Sequence, residues 1–318
     1  MYDRRMSVEN VEWVAADGVR IALHRWSPPV PPRAVLLVAH GMAEHGARYA
    51  RFAAALNERG WMVYALDHLG HGLTAVNAEA RGFFAEQDGW SRALAALHAV
   101  RTQVAERHAD LPLCLFGHSM GSFLSQHYLV EYGAGLAAAI LSATSASMGP
   151  LRPIGRALMR AEAALFGAHH PSALADVLTF RAFNKAFDRP GAPARTAFDW
   201  LSRDAGEVDK YIADPLCGFR CSARLWADLL GAGANLTDAR RLARIPKSLP
   251  ILLIAGAADP VSGEGRGTRR LAEAYRSAGA TRIEAKIYPD ARHELLNDTC
   301  REEATADALA WLDRAIST

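Results

Sequence analysis

Five short stretches of the 318-residue chain are continuously apolar and end at turn residues: Ala34–Ala39, Trp61–Leu66, Leu113–Phe116, Ala137–Leu141 and Ile251–Ala255. A strand with one wet face alternates apolar and polar side chains, whereas a strand covered on both faces has no need to. These runs therefore call for a parallel sheet with helices above and below. Amphipathic stretches that can supply the helices lie at Tyr49–Arg59, Trp90–Arg107, Gly121–Tyr132, Thr268–Ala278 and Glu302–Ile316. A sixth run, Arg282–Tyr288, is more polar and is expected nearer an edge. Ahead of the first run, Val19–Trp26 alternates, and the turn pair Asp17-Gly18 separates it from Val11–Ala15, which reads as an antiparallel hairpin. The expected fold class is α/β: a mostly parallel, doubly wound sheet preceded by an antiparallel hairpin.

One long interval breaks the rhythm. Between Leu141 and Ile251 there is no convincing strand. Ile154, Leu158, Ala161 and Leu165 share one helical face, more helical pieces are broken at Pro171, Pro190, Pro193 and Pro215, and Ser222–Leu230 reads as a helix returning to the sheet. The expected division is a core of residues 1–148 and 221–318 with an inserted helical cap at 149–220.

Charge excludes several functions. Lys plus Arg number 36 against 34 Asp plus Glu, and the net +2 is too small for a nucleic-acid binder. No run approaches the ~18 apolar residues of a membrane span, and MYDRRMSVEN lacks the apolar stretch of a signal peptide; a cytoplasmic location is the expectation. The four cysteines include no CxxC pair. Cys217 and Cys221 would make half a metal site, but neither a second pair nor a neighbouring histidine completes it in sequence, so no metal is expected.

The chemistry centres on Gly117-His118-Ser119-Met120-Gly121, a G-x-S-x-G placed between an apolar run and a helical stretch. Strand, sharp turn, helix is the context of a nucleophile elbow, in which a strained serine projects its hydroxyl at a helix N-terminus. Serine is a poor nucleophile at neutral pH and needs a base oriented by an acid. The elbow topology sets the chain order serine, acid, base. Asp259 follows the run ending at Ala255, and His293 follows the run ending at Tyr288, so both fall at carboxyl ends of strands. Asp290 is a rival acid, but it lies on the same loop as His293 and only three residues away. His118, next to Ser119 in sequence, should point away from the hydroxyl. The oxyanion donors are expected to be the backbone N–H groups of Met120 and of Met42, in the loop His40-Gly41-Met42-Ala43-Glu44-His45.

That loop, together with Asp67-His68-Leu69-Gly70-His71-Gly72, the serine motif, Asp259 and His293, resembles the α/β-hydrolase fold, and within it the monoacylglycerol lipase and lysophospholipase group, also classed with serine aminopeptidase-like hydrolases. The cap segment Leu201–Asp204 through Asp214–Cys217 is similar to caps of that group. The resemblance implies a cofactor-free carboxylester hydrolase, with Glu44 and Arg48 near the alcohol side of the pocket. The expected substrate is an acyl ester with an apolar chain, such as a monoacylglycerol, met by the cap aromatics Phe180, Phe183, Phe187 and Trp200. These aromatics could equally be cap core. Other readings remain: a lysophospholipase, short-chain esterase, thioesterase or aminopeptidase on the same triad; a hydrolase fold that binds without turnover; and a cap that contacts membrane surfaces through an apolar face.

Overall fold

The computed structural model describes residues 10–188, 191 and 193–317. The chain runs β1 (Asn10–Ala16), β2 (Val19–Trp26), β3 (Ala34–Ala39), α1 (Ala50–Asn57), β4 (Trp61–Leu66), α2 (Gly89–Arg107), β5 (Leu113–His118), α3 (Met120–Tyr132), β6 (Ala138–Ser142), α4 (Arg152–Phe166), α5 (Ala173–Leu178), α6 (Phe180–Asn184), α7 (Ala205–Ala213), α8 (Ala223–Ala232), α9 (Ala239–Leu242), β7 (Ile251–Gly256), α10 (Arg266–Ser277), β8 (Ile283–Tyr288) and α11 (Arg301–Ile316). One sheet holds all eight strands in the order β1-β2-β4-β3-β5-β6-β7-β8. The β1–β2 and β2–β4 pairs are antiparallel, and the remaining pairs are parallel.

The uninterrupted apolar runs occupy the middle of this sheet because both of its faces are covered. Along β3, Val35, Leu37 and Ala39 join the core beneath α2, α3 and α10, while Ala34, Leu36 and Val38 join the core beneath α1 and α11. Each buried leucine there contributes about 2 kcal/mol. β8 is the edge strand, and its middle residues Glu284 and Ala285 are exposed, which accounts for its polar sequence. Strand ends run later than the sequence suggests: β5 continues through Gly117 and His118, β6 to Ser142, and β7 to Gly256. The short α9 carries no periodicity that a sequence reading could detect. No described helix is long and apolar enough to cross a membrane.

Between β6 and β7 the described residues form no strand; they are helices joined by turns and loops, with one isolated bridge, Pro171 with Ser222. α4 forms where Ile154, Leu158, Ala161 and Leu165 place it, but it is turned the other way round. Ile154 is 59% and Leu165 77% exposed, and Met159 is the buried residue. α4 packs its slim side against α8, where a side chain at Gly155 would meet Leu230. The apolar stripe is left facing solvent.

The second half of this interval is fastened to the core. Arg292 donates to the carbonyls of Asp199 and Ser202, Arg203 pairs with Asp298, and Arg301 pairs with Asp204. Further along, Tyr211 Oη and Gly218 N both donate to the carbonyl of Ala43.

Candidate active site

Ser119 is the whole joint between β5 and α3, at φ 52° and ψ −119°. A side-chain-bearing residue at positive φ is strained and persists only when its surroundings fix it. Here Ser119 N donates to Ser142 O at 3.0 Å, and Ser119 O accepts from Ser122 N and Phe123 N. The second glycine of the motif answers a steric demand, since a Cβ on Gly121 would lie 2.1 Å from Ala39 O. Without that clash, α3 starts hard against the end of β3, and its unpaired N–H groups and positive dipole end lie at the serine.

The loops after β7 and β8 bring the other two residues to it. His293 Nε2 is 2.9 Å from Ser119 Oγ, and His293 Nδ1 is 2.8 Å from Asp259 Oδ1. Asp259 is fully buried and also accepts from the N–H groups of Val261 and Ser262. Burial alone would raise its pKa, but the adjacent imidazole and these donors outweigh burial and hold the carboxyl below its usual range. Asp290 is exposed and takes no part. His118 packs its ring 4.9 Å from that of His293, with its Nδ1 3.4 Å from Ser142 Oγ. Burial, reinforced by His293, pushes its pKa down to about 4, so it stays neutral beside His293.

Met42 and Met120 both border the space in front of Ser119. Met120 is the first residue of α3, where no helical carbonyl reaches its N–H. Among the described residues, the hydrogen bonds of the Met42 loop use Gly41 N and Ala43 O and leave the Met42 N–H unengaged.

Glu44 and Arg48 lie beside the site, but as an anchored pair. Glu44 Oε1 accepts from Gly41 N at 2.5 Å and from Tyr49 Oη at 3.1 Å, and Oε2 accepts from Arg48 at 2.5 Å. The partner that sequence reasoning missed is Glu294, which receives both nitrogens of Arg48, at 2.8 and 2.7 Å. Its position next to His293 was the available signal. Burial opposes both charges, yet Arg48 holds the Glu294 carboxyl well below its usual range, and the two carboxylates hold the Arg48 pKa above its own. This buried chain of charges ties the histidine loop to the loop carrying Gly41 and Met42.

Ser119 stands between two unequal spaces. On one side is a cavity of about 500 Å³, walled by Met120, Phe123, Phe180, Phe183, Trp226 and Leu229 among others. On the other is a cavity of about 30 Å³ touching His293, Glu44, Glu294, Trp200 and Phe198. The cap aromatics therefore divide: Phe183 lines the large space, Trp200 the small one, Phe180 stands between them and lines both, and Phe187 packs under Arg292 instead.

All four cysteines are free thiols. Contrary to the sequence reading, a histidine does approach Cys217: His45, Asp214 and Cys217 form the one group among the described residues close enough to share an ion. His45 and Asp214 are already hydrogen-bonded to each other at 2.9 Å, and Cys221 is not in the group.

Comparison with known proteins agrees with this architecture. The family model described as serine aminopeptidase, S33, matches residues 30–300. The chain is 29% identical over 303 residues to a monoacylglycerol lipase of Mycolicibacterium smegmatis, covering 93% of each chain. It is 30% identical over 292 residues to a monoglyceride lipase of Mus musculus, covering 89% of this chain and 82% of that one. Among solved structures, a thermostable carboxyl esterase from Bacillus coagulans in complex with glycerol superposes with a TM-score of 0.87 at 27% identity, covering 97% of this chain and 98% of that one.

Proposed function

The chain belongs to the serine aminopeptidase S33 family of α/β hydrolases, with monoglyceride lipases among its relatives, and from that premise we propose that it is a serine carboxylester hydrolase acting on monoacylglycerol-like esters. One observation carries the reading: the hydrogen-bonded line Asp259–His293–Ser119 ends at the boundary between a large cavity lined mainly by apolar side chains and a small one that also touches Glu44 and Glu294.

The reaction follows from that geometry. The acyl chain lies in the large cavity and the alcohol in the small one. Ser119 Oγ attacks the ester carbonyl as His293 Nε2 takes its proton, and Asp259 stabilises the imidazolium that forms. The Met42 and Met120 N–H groups hold the oxyanion, each such donor typically being worth about 3 kcal/mol. His293 returns the proton to the departing alcohol. Water, deprotonated by the same imidazole, then releases the acid from Ser119. Residues 149–220 act as the cap that closes both spaces.

The two cavities favour this substrate over its rivals. A space of about 500 Å³ walled mainly by apolar side chains suits a long acyl chain and leaves the acetyl group of a short-chain ester unheld. Across a series of acyl esters, kcat/KM is expected to rise about fourfold per added methylene, matching ~0.8 kcal/mol each, until the large cavity is full. A panel of p-nitrophenyl esters and monoacylglycerols measures this, and a preference for acetyl esters would refute the assignment.

The solvent-facing stripe of α4 and α5 supports a lipid surface as the place where substrate is collected. Leu151, Ile154, Leu158, Leu165 and Phe166 on and beside α4, and Leu174, Val177 and Leu178 on α5, are each exposed, as are Arg156 and Arg160 on α4. Leu165→Ser combined with Phe166→Ser is expected to reduce co-sedimentation with phosphatidylcholine–phosphatidylglycerol vesicles several-fold, while hydrolysis of a water-soluble ester stays unchanged. Equal sedimentation of the two proteins would remove the membrane role.

A further inference from the structure

Two segments distant in sequence bring three different metal-ligating side chains together, apart from Ser119, Asp259 and His293. Asp214 and Cys217 sit on the turn that follows α7, and His45 ends the loop that follows β3. The turn is fixed by its own backbone: Cys217 N donates to Asp214 O at 3.0 Å, and Leu216 N donates to Asp214 Oδ1 at 2.8 Å. That leaves Asp214 Oδ2 for His45 Nε2, 2.9 Å away. One ring nitrogen of His45, one carboxylate oxygen of Asp214 and Cys217 Sγ all lie within 4.8 Å of one another. A D-x-x-C spacing puts two ligands on one tight turn, as the C-x-x-C spacing of zinc sites does. A tetrahedral ion with bonds of about 2.0–2.3 Å holds its ligand atoms roughly 3.3–3.8 Å apart, so side-chain movements of about an ångström close the set around it.

Charge and access both favour a cation here. The carboxylates of Asp214, Glu44 and Glu294 act on Cys217, against one guanidinium, that of Arg48. Arg48 is already shared between Glu44 and Glu294, so the neighbourhood keeps a surplus of negative charge. The Asp214 side chain is 29% exposed, whereas His45 and Cys217 are each 9% exposed. An ion therefore has an entrance from solvent on the Asp214 side, and a water there can fill its fourth position. One sulfur, one imidazole nitrogen and one carboxylate oxygen suit Zn²⁺, whereas Mg²⁺ and Ca²⁺ take oxygen ligands.

We propose that His45, Asp214 and Cys217 form a site for a divalent transition metal of the zinc type, and that the bound ion clamps the cap to the loop carrying Met42. On binding, the thiol proton leaves to the buffer, and the imidazole carries its proton on Nδ1 so that the Nε2 lone pair meets the metal. The clamp adds to contacts that already join the same two segments, since Tyr211 Oη and Gly218 N both donate to Ala43 O. Neither Ser119 nor the hydrolase reading enters this assignment, and Ser119→Ala should bind the metal as wild type does.

The test uses the full chain after treatment with a chelator. One equivalent of Co²⁺ is expected to produce a thiolate-to-cobalt charge-transfer band in the near ultraviolet, and Zn²⁺ to abolish it by competition. Zn²⁺ at about a hundred times its dissociation constant should raise the thermal midpoint by about 4 °C. Both effects should vanish in Cys217→Ser and persist in Cys300→Ser, which removes the most exposed of the four thiols. His45→Gln should weaken Zn²⁺ binding by at least about tenfold. A band that survives Cys217→Ser, or wild-type protein that gives no band with excess Co²⁺, would overturn the inference. A measurement on wild-type protein alone keeps the test independent of how the variants fold. Bound ¹¹³Cd²⁺ should give one resonance with scalar coupling to the Cβ protons of Cys217 and to the ring protons of His45. Coupling to a different cysteine, or to none, would equally overturn it.

Discussion

Replacing Ser119 by alanine is expected to lower kcat on the preferred ester by roughly four to six orders of magnitude, with KM changed by less than about threefold. The three side chains act as one device, so His293→Ala should cost about as much, and the double variant no more than either single one. Asp259→Asn should still cost about four orders of magnitude, because an amide at Nδ1 favours the wrong tautomer of the imidazole. Single-turnover assays separate acylation from binding, and a fluorophosphonate probe should label wild-type protein at Ser119 and leave Ser119→Ala unlabelled. Retention of more than about 1% of wild-type kcat in folded Ser119→Ala would place the nucleophile elsewhere.

Folding stability is expected to fall steeply between pH 6.5 and 4.5, well before the carboxylates titrate. Burial depresses the pKa of His68 to about 3, and those of His71 and His118 to about 4, with neighbouring His71 adding to the effect on His68 and His293 to that on His118. His40, in ring contact with His68 and His71, is also held well below its ordinary value, first by burial and then by those two rings. The unfolded chain protonates these rings near pH 6.5 and the folded chain does not, so the unfolded state binds more protons as pH falls. The stability is complete above about pH 7 and is lost on acidification through 6.5. At pH 5 the cost is about 2 kcal/mol for each of His68, His71 and His118, or roughly 6 kcal/mol together, against a total stability of about 5–15 kcal/mol. Urea midpoints measured from pH 8 to pH 4.5 read this directly, and a midpoint that held constant down to pH 5 would contradict it.

The sheet and the serine joint were legible because their signals are local. A continuous apolar run means coverage on both faces, and Gly121 is demanded by contact with Ala39 only two residues after Ser119. The convergence of Ser119, Asp259 and His293 was legible because the topology fixes which strand ends meet. What escaped was set by contacts across the chain. Arg48 and Glu294 are 246 positions apart, and no spacing rule joins them. The periodicity of α4 defined an apolar stripe but could not say whether the stripe or its slim side, with Gly155 and Met159, would face the protein. Trp200 read as one aromatic among several, and only the folded chain shows that it lines the space beside His293 while Phe187 packs under Arg292.

The fastening of residues 199–204 to the loop around His293 limits how the molecule can breathe. A lid that swung away as a single slab would pull on Arg292 and on the His293 backbone, carrying the imidazole out of line with Ser119. On the proposed hydrolase reading, exchange of acyl substrate and product is expected through the large cavity, on the side walled by Met148, Pro150 and Thr179, rather than through this anchored edge. The doorway and the motor are built on separate frames.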